Sequence, residues 1–270
     1  MTKNRLILGA VAGDIIGSAY EFDNVKTTEF NLFTRETYFT DDSVLTIATM
    51  EALLKKLDYT ETYQKYGRMY HYRSYGGHFE GWLYEEKPEP YNSWGNGSAM
   101  RSSPIGWYCN TIEAVMEEAK KSAEVSHNHP EGIKGAQAVA AGVFLARKGK
   151  TKKEIREFIA KTFGYNLDRT LDEIRPGYEF DVSCQGSVPE AILAFLESDD
   201  FESAVRLAVS IGGDSDTIAC VTGAIAEAFY GEIPAEIVDT VSVILGPDLL
   251  RGVIMPFSQK YGNIEKEDSL

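Results

Sequence analysis

Cysteine is scarce in this chain of 270 residues. Cys109, Cys184 and Cys220 stand too far apart for a disulfide framework or a CxxC metal knuckle, and a reduced, cytoplasmic setting is expected. Positive charge is also short: 27 basic residues face 41 acidic ones, for a net charge of −14. That balance repels a phosphate backbone and excludes a broad nucleic-acid-binding face. A small anionic ligand stays compatible if a local device supplies positive charge. No stretch approaches the roughly 20 apolar residues of a membrane span. Lys3 and Arg5 ahead of Leu6–Ala12 imitate a signal peptide, but Asp14 and the glycines end the apolar run and no cleavage site follows. Repeats, low-complexity blocks and linkers are missing, so a single domain over 1–270 is the simplest expectation. Alternation of period two is rare, which leaves an all-α fold.

Helical periodicity is present throughout. Leu8, Val11, Ile15 and Ala19 recur along one face, with Gly9, Gly13 and Gly17 four apart on a neighbouring stripe. Each such glycine costs about 1 kcal/mol against alanine, so a second helix or a ligand is expected to come close there. Ser43–Leu57 reads as a second helix, and Tyr59, Tyr63, Tyr66 and Tyr70 mark a third that ends at Tyr75-Gly76-Gly77. Asn110 with Glu113, Thr151 with Glu154, and Ser187 with Glu190 have capping-box spacing. Helices over 201–211, 217–230 and 235–245 follow, with Gly231 and Gly246 as stops ahead of prolines.

Two polar clusters open apolar helices: Thr40-Asp41-Asp42-Ser43 and Asp214-Ser215-Asp216-Thr217. Such residues are favoured helix caps, and carboxylates suit the positive end of the helix dipole. Capping needs one residue, however, and each cluster has four. Neighbouring carboxylates repel one another, and a cation relieves that repulsion. Ligands that are all oxygen select a hard ion, magnesium or manganese before zinc. Four carboxylates brought together would balance two divalent ions. A terpenoid-synthase reading fails because Asp41-Asp42-Ser43-Val44-Leu45 lacks the acid that DDxxD requires. A DxD phosphatase reading of Asp214-Ser215-Asp216 conflicts with the helical surroundings.

The remaining polar residues admit quieter explanations. Gly76, Gly77 and the segment Trp94-Gly95-Asn96-Gly97-Ser98 could cradle an anion or simply turn the chain. Arg101 fits an internal salt bridge better than a phosphate. His127 and His129 fit helix-end hydrogen bonding as well as ligation. Asp14 in an apolar helix is costly unless paired, whereas Glu21 is free to face a cleft. Eight of the 15 tyrosines fall between Tyr59 and Tyr91, as core or as a stacking surface for a base.

Taken in order, GDIIGSAYEF, FTDDSVLTIA, WGNGSAMRSSPIGW, VSHNHPEGIKGAQA and SIGGDSDTIACVTGAIAEAFYG resemble the ADP-ribosylglycohydrolase family over nearly the whole chain. The resemblance implies a compact bundle of many helices, an ADP-ribosylated protein or ADP-ribose derivative as substrate, and two magnesium or manganese ions. It assigns Thr40, Asp41, Asp42, Asp214, Asp216 and Thr217 to the metals. Asp42, Gly76, Gly77, Ser93, Trp94, Asn96, Gly97, Ser98 and His127 fall to the substrate. It also implies that Glu21, Asp41 and Asp214 carry the cleavage of the bond between ribose C1 and the acceptor. Where members similar to the dinitrogenase-reductase enzyme have an aspartate just before the GNG triplet, Ser93 stands here, which together with Gly17-Ser18-Ala19-Tyr20-Glu21 leans toward hydroxyl-type acceptors and leaves arginine open. The competing class is a non-catalytic ADP-ribose binder or a crystallin-like relative.

Overall fold

The computed structural model describes residues 6–262, so Lys3 and Arg5 of the signal-like start lie outside the described residues. Helices account for its regular structure, and among the described residues the only extended pairing is an isolated bridge between Gly95 and Ser183. The all-α expectation holds.

The first half comprises α1 (Gly9–Ser18), α2 (Asp41–Lys55), α3 (Tyr59–Met69), α4 (Gly77–Trp82), α5 (Gly97–Met100), α6 (Ser103–Tyr108), α7 (Ile112–Glu124) and α8 (Pro130–Arg147). The second half comprises α9 (Lys152–Phe163), α10 (Leu171–Ile174), α11 (Cys184–Glu197), α12 (Phe201–Ser210), α13 (Ser215–Tyr230) and α14 (Ala235–Leu245), followed by short helical turns to Tyr261.

Capping chemistry sets most boundaries. Thr151 and Glu154 form the expected reciprocal box at the start of α9. At α7 the cap is Thr111, not Asn110: its hydroxyl accepts the Ala114 N–H at 3.2 Å. At α11 the cap is Ser183, not Ser187, and its hydroxyl accepts from Gly186 N at 3.1 Å. Ser187 therefore lies inside α11 and donates back to the Ser183 carbonyl, while Glu190 pairs with Arg169 at 2.7 Å. Helix α3 stops at Met69, before Tyr75-Gly76-Gly77. Ser74 adopts a left-handed φ of 64°, and Gly77 opens a new helix.

The glycine stripe of α1 packs on α13. A Cβ on Gly13 would stand 1.9 Å from the Ala219 carbonyl oxygen, and one on Gly17 would stand 2.6 Å from Asp216 Cα. Helix-to-helix contact, not a ligand, explains the stripe. Glu227 then closes the start of α1 by accepting from the N–H groups of Leu8 (3.2 Å) and Gly9 (2.7 Å). Helix α8 forms the second axis, packed against α6, α7, α11 and α13. Because α1, α2 and α13 lie against one another, the starts of α2 and α13 open into the same cleft.

Candidate active site

The two acidic clusters meet. Thr217 Oγ1 donates to Asp42 Oδ2 at 3.2 Å across 175 residues of sequence. Capping occupies little of either cluster. Thr40 caps α2 by accepting the Asp42 N–H at 3.2 Å, whereas Asp214, at the cap position of α13, makes no side-chain capping bond. Asp214 Oδ2 instead accepts from Asn96 Nδ2 at 2.7 Å. Glu21, Asp214 and Asp216 each bring a carboxylate oxygen within 4.8 Å of the other two, and all three residues are buried. Asp41 and Asp42 face the same cleft.

Glu21 reaches this group from the loop after α1, and Asn24 holds it there. The Asn24 amide donates to the carbonyls of Glu21 (2.9 Å), Tyr20 (2.7 Å) and Gly213 (3.0 Å), while Gly213 N–H donates to Asn24 Oδ1 at 2.7 Å. Gly212 and Gly213 both have left-handed φ, 75° and 74°. A side chain at Gly213 would also meet the Tyr178 ring at 2.5 Å, so this turn into Asp214 needs glycine. Asn24 was not legible as a positioning residue, because Gly213, the partner that ties its loop to the start of α13, lies 189 residues away.

Asp14 resolves the puzzle of a carboxylate in an apolar helix. Its oxygens accept from Thr40 N (3.1 Å), Thr40 Oγ1 (2.7 Å), Ser43 N (3.0 Å) and the Ser43 hydroxyl. It therefore anchors the start of α2 beneath the acidic group. Burial lifts its carboxyl to about 6, against the opposing pull of those hydrogen bonds.

The same physics is stronger at the cleft. Burial first, then the charges of Asp214 and Asp14, lift Glu21 to about 7. Burial and neighbouring carboxylates push Asp41, Asp42 and Asp216 well above the usual range, and burial raises Asp214 despite bonds from Asp216, Asn96 and Thr217. Glu21 Oε2, Asp42 Oδ1 and Asp216 Oδ1 are buried with no hydrogen-bond partner. Uncompensated carboxylates with free oxygens fit hard divalent cations.

The cleft encloses about 320 Å³, enough for a small ligand. Besides Glu21, Asp41, Asp42, Asp214, Asp216 and Thr217, it is lined by Gly76, Gly77, Ser93, Asn96, Gly97 and His127. Three of the residues assigned by resemblance are not on this lining. Trp94 is half exposed with its ring against His129, Ser98 turns inward to donate to the Gly132 carbonyl at 2.8 Å, and Thr40 is fully buried with its hydroxyl bonded to Asp14. Arg101 departs from expectation. It forms no salt bridge with any described residue, yet it is fully buried at the wall of the cleft. Phe180 and Val182 also line the cleft. The segment carrying them is tied to the Gly95 loop by Asn96 N–H to Val182 O (2.8 Å) and Cys184 N–H to Trp94 O (2.9 Å). No sequence motif marks that pairing.

Among the described residues the regular structure is helical, and a carboxylate-lined cleft lies between the starts of two helices. The family profile described as ADP-ribosylglycohydrolase matches residues 5–262, and the chain belongs to that family. Among its relatives is ADP-ribosylhydrolase ARH3 of Mus musculus, 28% identical over 307 residues, covering 83% of this chain and 82% of the relative. Another is ADP-ribosylarginine hydrolase Tri1 of Pseudomonas putida (strain GB-1), 27% identical, covering 87% of this chain and 73% of the relative. A solved structure titled ADP-ribosylglycohydrolase-related protein complex shares the fold. Its TM-score is 0.73 at 20% identity, over 95% of this chain and 96% of the other.

Proposed function

We propose that this chain, acting as one domain, is a metal-dependent hydrolase that removes ADP-ribose from a modified acceptor by cleaving the bond at ribose C1. The observation that carries the reading is the convergence of Glu21, Asp42 and Asp216, each with a buried carboxylate oxygen that nothing else uses. Asp41, Asp42, Asp214, Asp216, Thr217 and the adjoining Thr40 would hold two magnesium or manganese ions. When bound, these ions supply positive charge that offsets the carboxylates and acidifies water near neutral pH.

The protein's own residues do the rest. Cleavage develops positive charge on the sugar ring, and Glu21 is the cleft acid whose charge the ions would leave free to favour it. Asp214, fixed by Asn96, orients the attacking water. Glu21, on its Asn24-held loop, moves a proton as the water oxygen bonds to C1 and the acceptor leaves with the bonding pair and a proton. Gly76, Gly77, Ser93, Asn96, Gly97 and His127 then form the end of the cleft that takes the rest of ADP-ribose. Ser93, standing where an aspartate marks the arginine-directed type, favours a hydroxyl acceptor.

The test is incubation with ADP-ribosylated serine and arginine peptides in magnesium chloride and in EDTA, followed by mass spectrometry for free ADP-ribose. Release in magnesium only, greater from serine, is the expected result. Undiminished release from thoroughly metal-stripped protein overturns the mechanism. Binding without release supports the alternative of a non-catalytic binder.

A further inference from the structure

His127 sits on the cleft wall directly after α7, and its two ring nitrogens face different surroundings. Nδ1 lies 2.8 Å from Ser126 Oγ. Nε2 has no partner among the described residues and points over the loop of Gly95 and Gly97: a Cβ on Gly97 would stand 3.1 Å from it, and one on Gly95 3.6 Å.

Behind this pair stands Arg101. Its Nη2 donates to Ser126 Oγ at 2.9 Å and to the Ser122 carbonyl at 3.0 Å, and its guanidinium lies 4.3 Å from the centre of the Tyr63 ring. Arginine only donates, so Ser126 Oγ is an acceptor in that bond and its own hydrogen must find an acceptor elsewhere. His127 Nδ1 is the acceptor at hand. Were Nδ1 to carry a hydrogen instead, Ser126 would receive two donors and leave its own hydrogen buried without a partner, the more costly arrangement. Burial, and then the Arg101 charge, hold His127 well below the ordinary imidazole value, so the ring is neutral. A neutral ring that accepts at Nδ1 carries its hydrogen on Nε2.

We propose that Arg101 and Ser126 are positioning residues that lock His127 as the Nε2–H tautomer, giving the cleft a fixed donor above the Gly95–Gly97 loop for an acceptor oxygen of the ligand. Identifying that ligand as ADP-ribose rests on the function proposed above; the tautomer does not. The arrangement gives Arg101 a purpose that a salt bridge would not. It lies one serine behind the donor and orients it through the Ser126 hydroxyl.

The test has two independent readouts. In protein labelled with ¹⁵N-histidine, long-range ¹H–¹⁵N correlations identify the tautomer of each of the four histidines, and His127→Gln assigns the signal. Wild type is expected to show His127 protonated at Nε2 and bare at Nδ1. Ser126→Ala, a small change that keeps the fold, draws the two nitrogen shifts together as the Nδ1–H form becomes populated, and Ser126→Thr restores the wild-type pattern. Arg101→Met moves the pattern in the same direction, and Ser126→Ala carries the test if that variant does not fold.

Calorimetric titration with ADP-ribose in magnesium chloride supplies the second readout. Ser126→Ala weakens binding about fivefold to tenfold, the loss of one oriented hydrogen bond, and Ser126→Thr recovers it. A wild-type ring protonated at Nδ1, or a pattern that Ser126→Ala leaves unchanged, overturns the relay. A shifted tautomer with undiminished ADP-ribose affinity overturns its role toward the ligand. If wild type and variants alike fail to bind ADP-ribose while the tautomer responds as described, the relay is supported and the ADP-ribose reading falls.

Discussion

The two ends of the cleft solve opposite problems with the same economy of side chains. At one end Glu21, Asp41, Asp42, Asp214 and Asp216 crowd together, and three of their oxygens have no hydrogen-bond partner among the described residues. At the other end Gly76, Gly77, Gly95 and Gly97 expose backbone, and the neutral ring of His127 stands before a buried arginine. The acidic end leaves carboxylate oxygens free for the cations of the proposed function. The glycine end offers backbone and the free Nε2 of His127 to a polar ligand, and leaves Nε and Nη1 of Arg101 without hydrogen-bond partners. On the proposed function, a protein of net charge −14 would take an anionic ligand by answering the long-range repulsion locally at both ends by different means.

The contrast is broken most severely by removing a charge from the acidic end. Asp216→Asn is expected to lower ADP-ribose release at least about 10³-fold and to abolish magnesium binding by calorimetry. The fold is retained, since the variant removes a like-charge repulsion. Glu21→Gln is expected to slow single-turnover release about 10²- to 10⁴-fold while changing ADP-ribose affinity by no more than a few-fold; an unaltered rate would take Glu21 out of the chemistry. Asn24→Ala leaves the carboxylates in place but frees the loop that presents Glu21. A loss of about tenfold in rate, with nearly normal ADP-ribose affinity, is expected for one missing set of positioning bonds.

The smallest effect is thermal and depends on pH. The carboxyls of Asp14 and Glu21 lie above their ordinary values, at about 6 and about 7. Between the unfolded and folded values the folded chain therefore holds more protons than the unfolded one, and stability falls as pH rises through that window. In EDTA the melting temperature is expected to be about 2–4 °C higher at pH 5 than at pH 7.5. Magnesium chloride reverses the order, because it stabilises the ionised carboxylates at pH 7.5 and finds them protonated at pH 5. A melting temperature in EDTA that rises with pH would contradict the uncompensated acidic end.

The sequence made some of this readable and hid the rest for definite reasons. The start of α9 at Thr151 and Glu154 and the helix over 235–245 were visible because the cap of one and the periodicity of the other are local, whereas the helix from Tyr59 stops at Met69, short of the glycines expected to end it. The acidic clusters stood out because each holds more polar residues than a cap requires. Their meeting was invisible, since Thr217 and Asp42 are separated by 175 residues. Asp14 looked unpaired because its donors on Thr40 and Ser43 come from 26 and 29 residues further on. The Ser187–Glu190 spacing matched a capping box, yet Ser183, four residues earlier, took the cap and left Glu190 to Arg169. Arg101 was assigned a carboxylate because a lone arginine near apolar sequence usually needs one, and here the Ser126 hydroxyl, the Ser122 carbonyl and the Tyr63 ring take that place.

The contact at Gly17 has a consequence that reaches beyond helix packing. Its missing Cβ lets the last turn of α1 rest on the backbone of Ser215 and Asp216, with prospective clearances of 2.4 Å and 2.6 Å to Ser215 O and Asp216 Cα. The main chain four residues before Glu21 thereby acts as a gauge block for the acids opposite. Any bulk added at position 17 would press on the Ser215 carbonyl and the Asp216 backbone together, so the spacing of the acidic cleft is machined into a residue that does not line it.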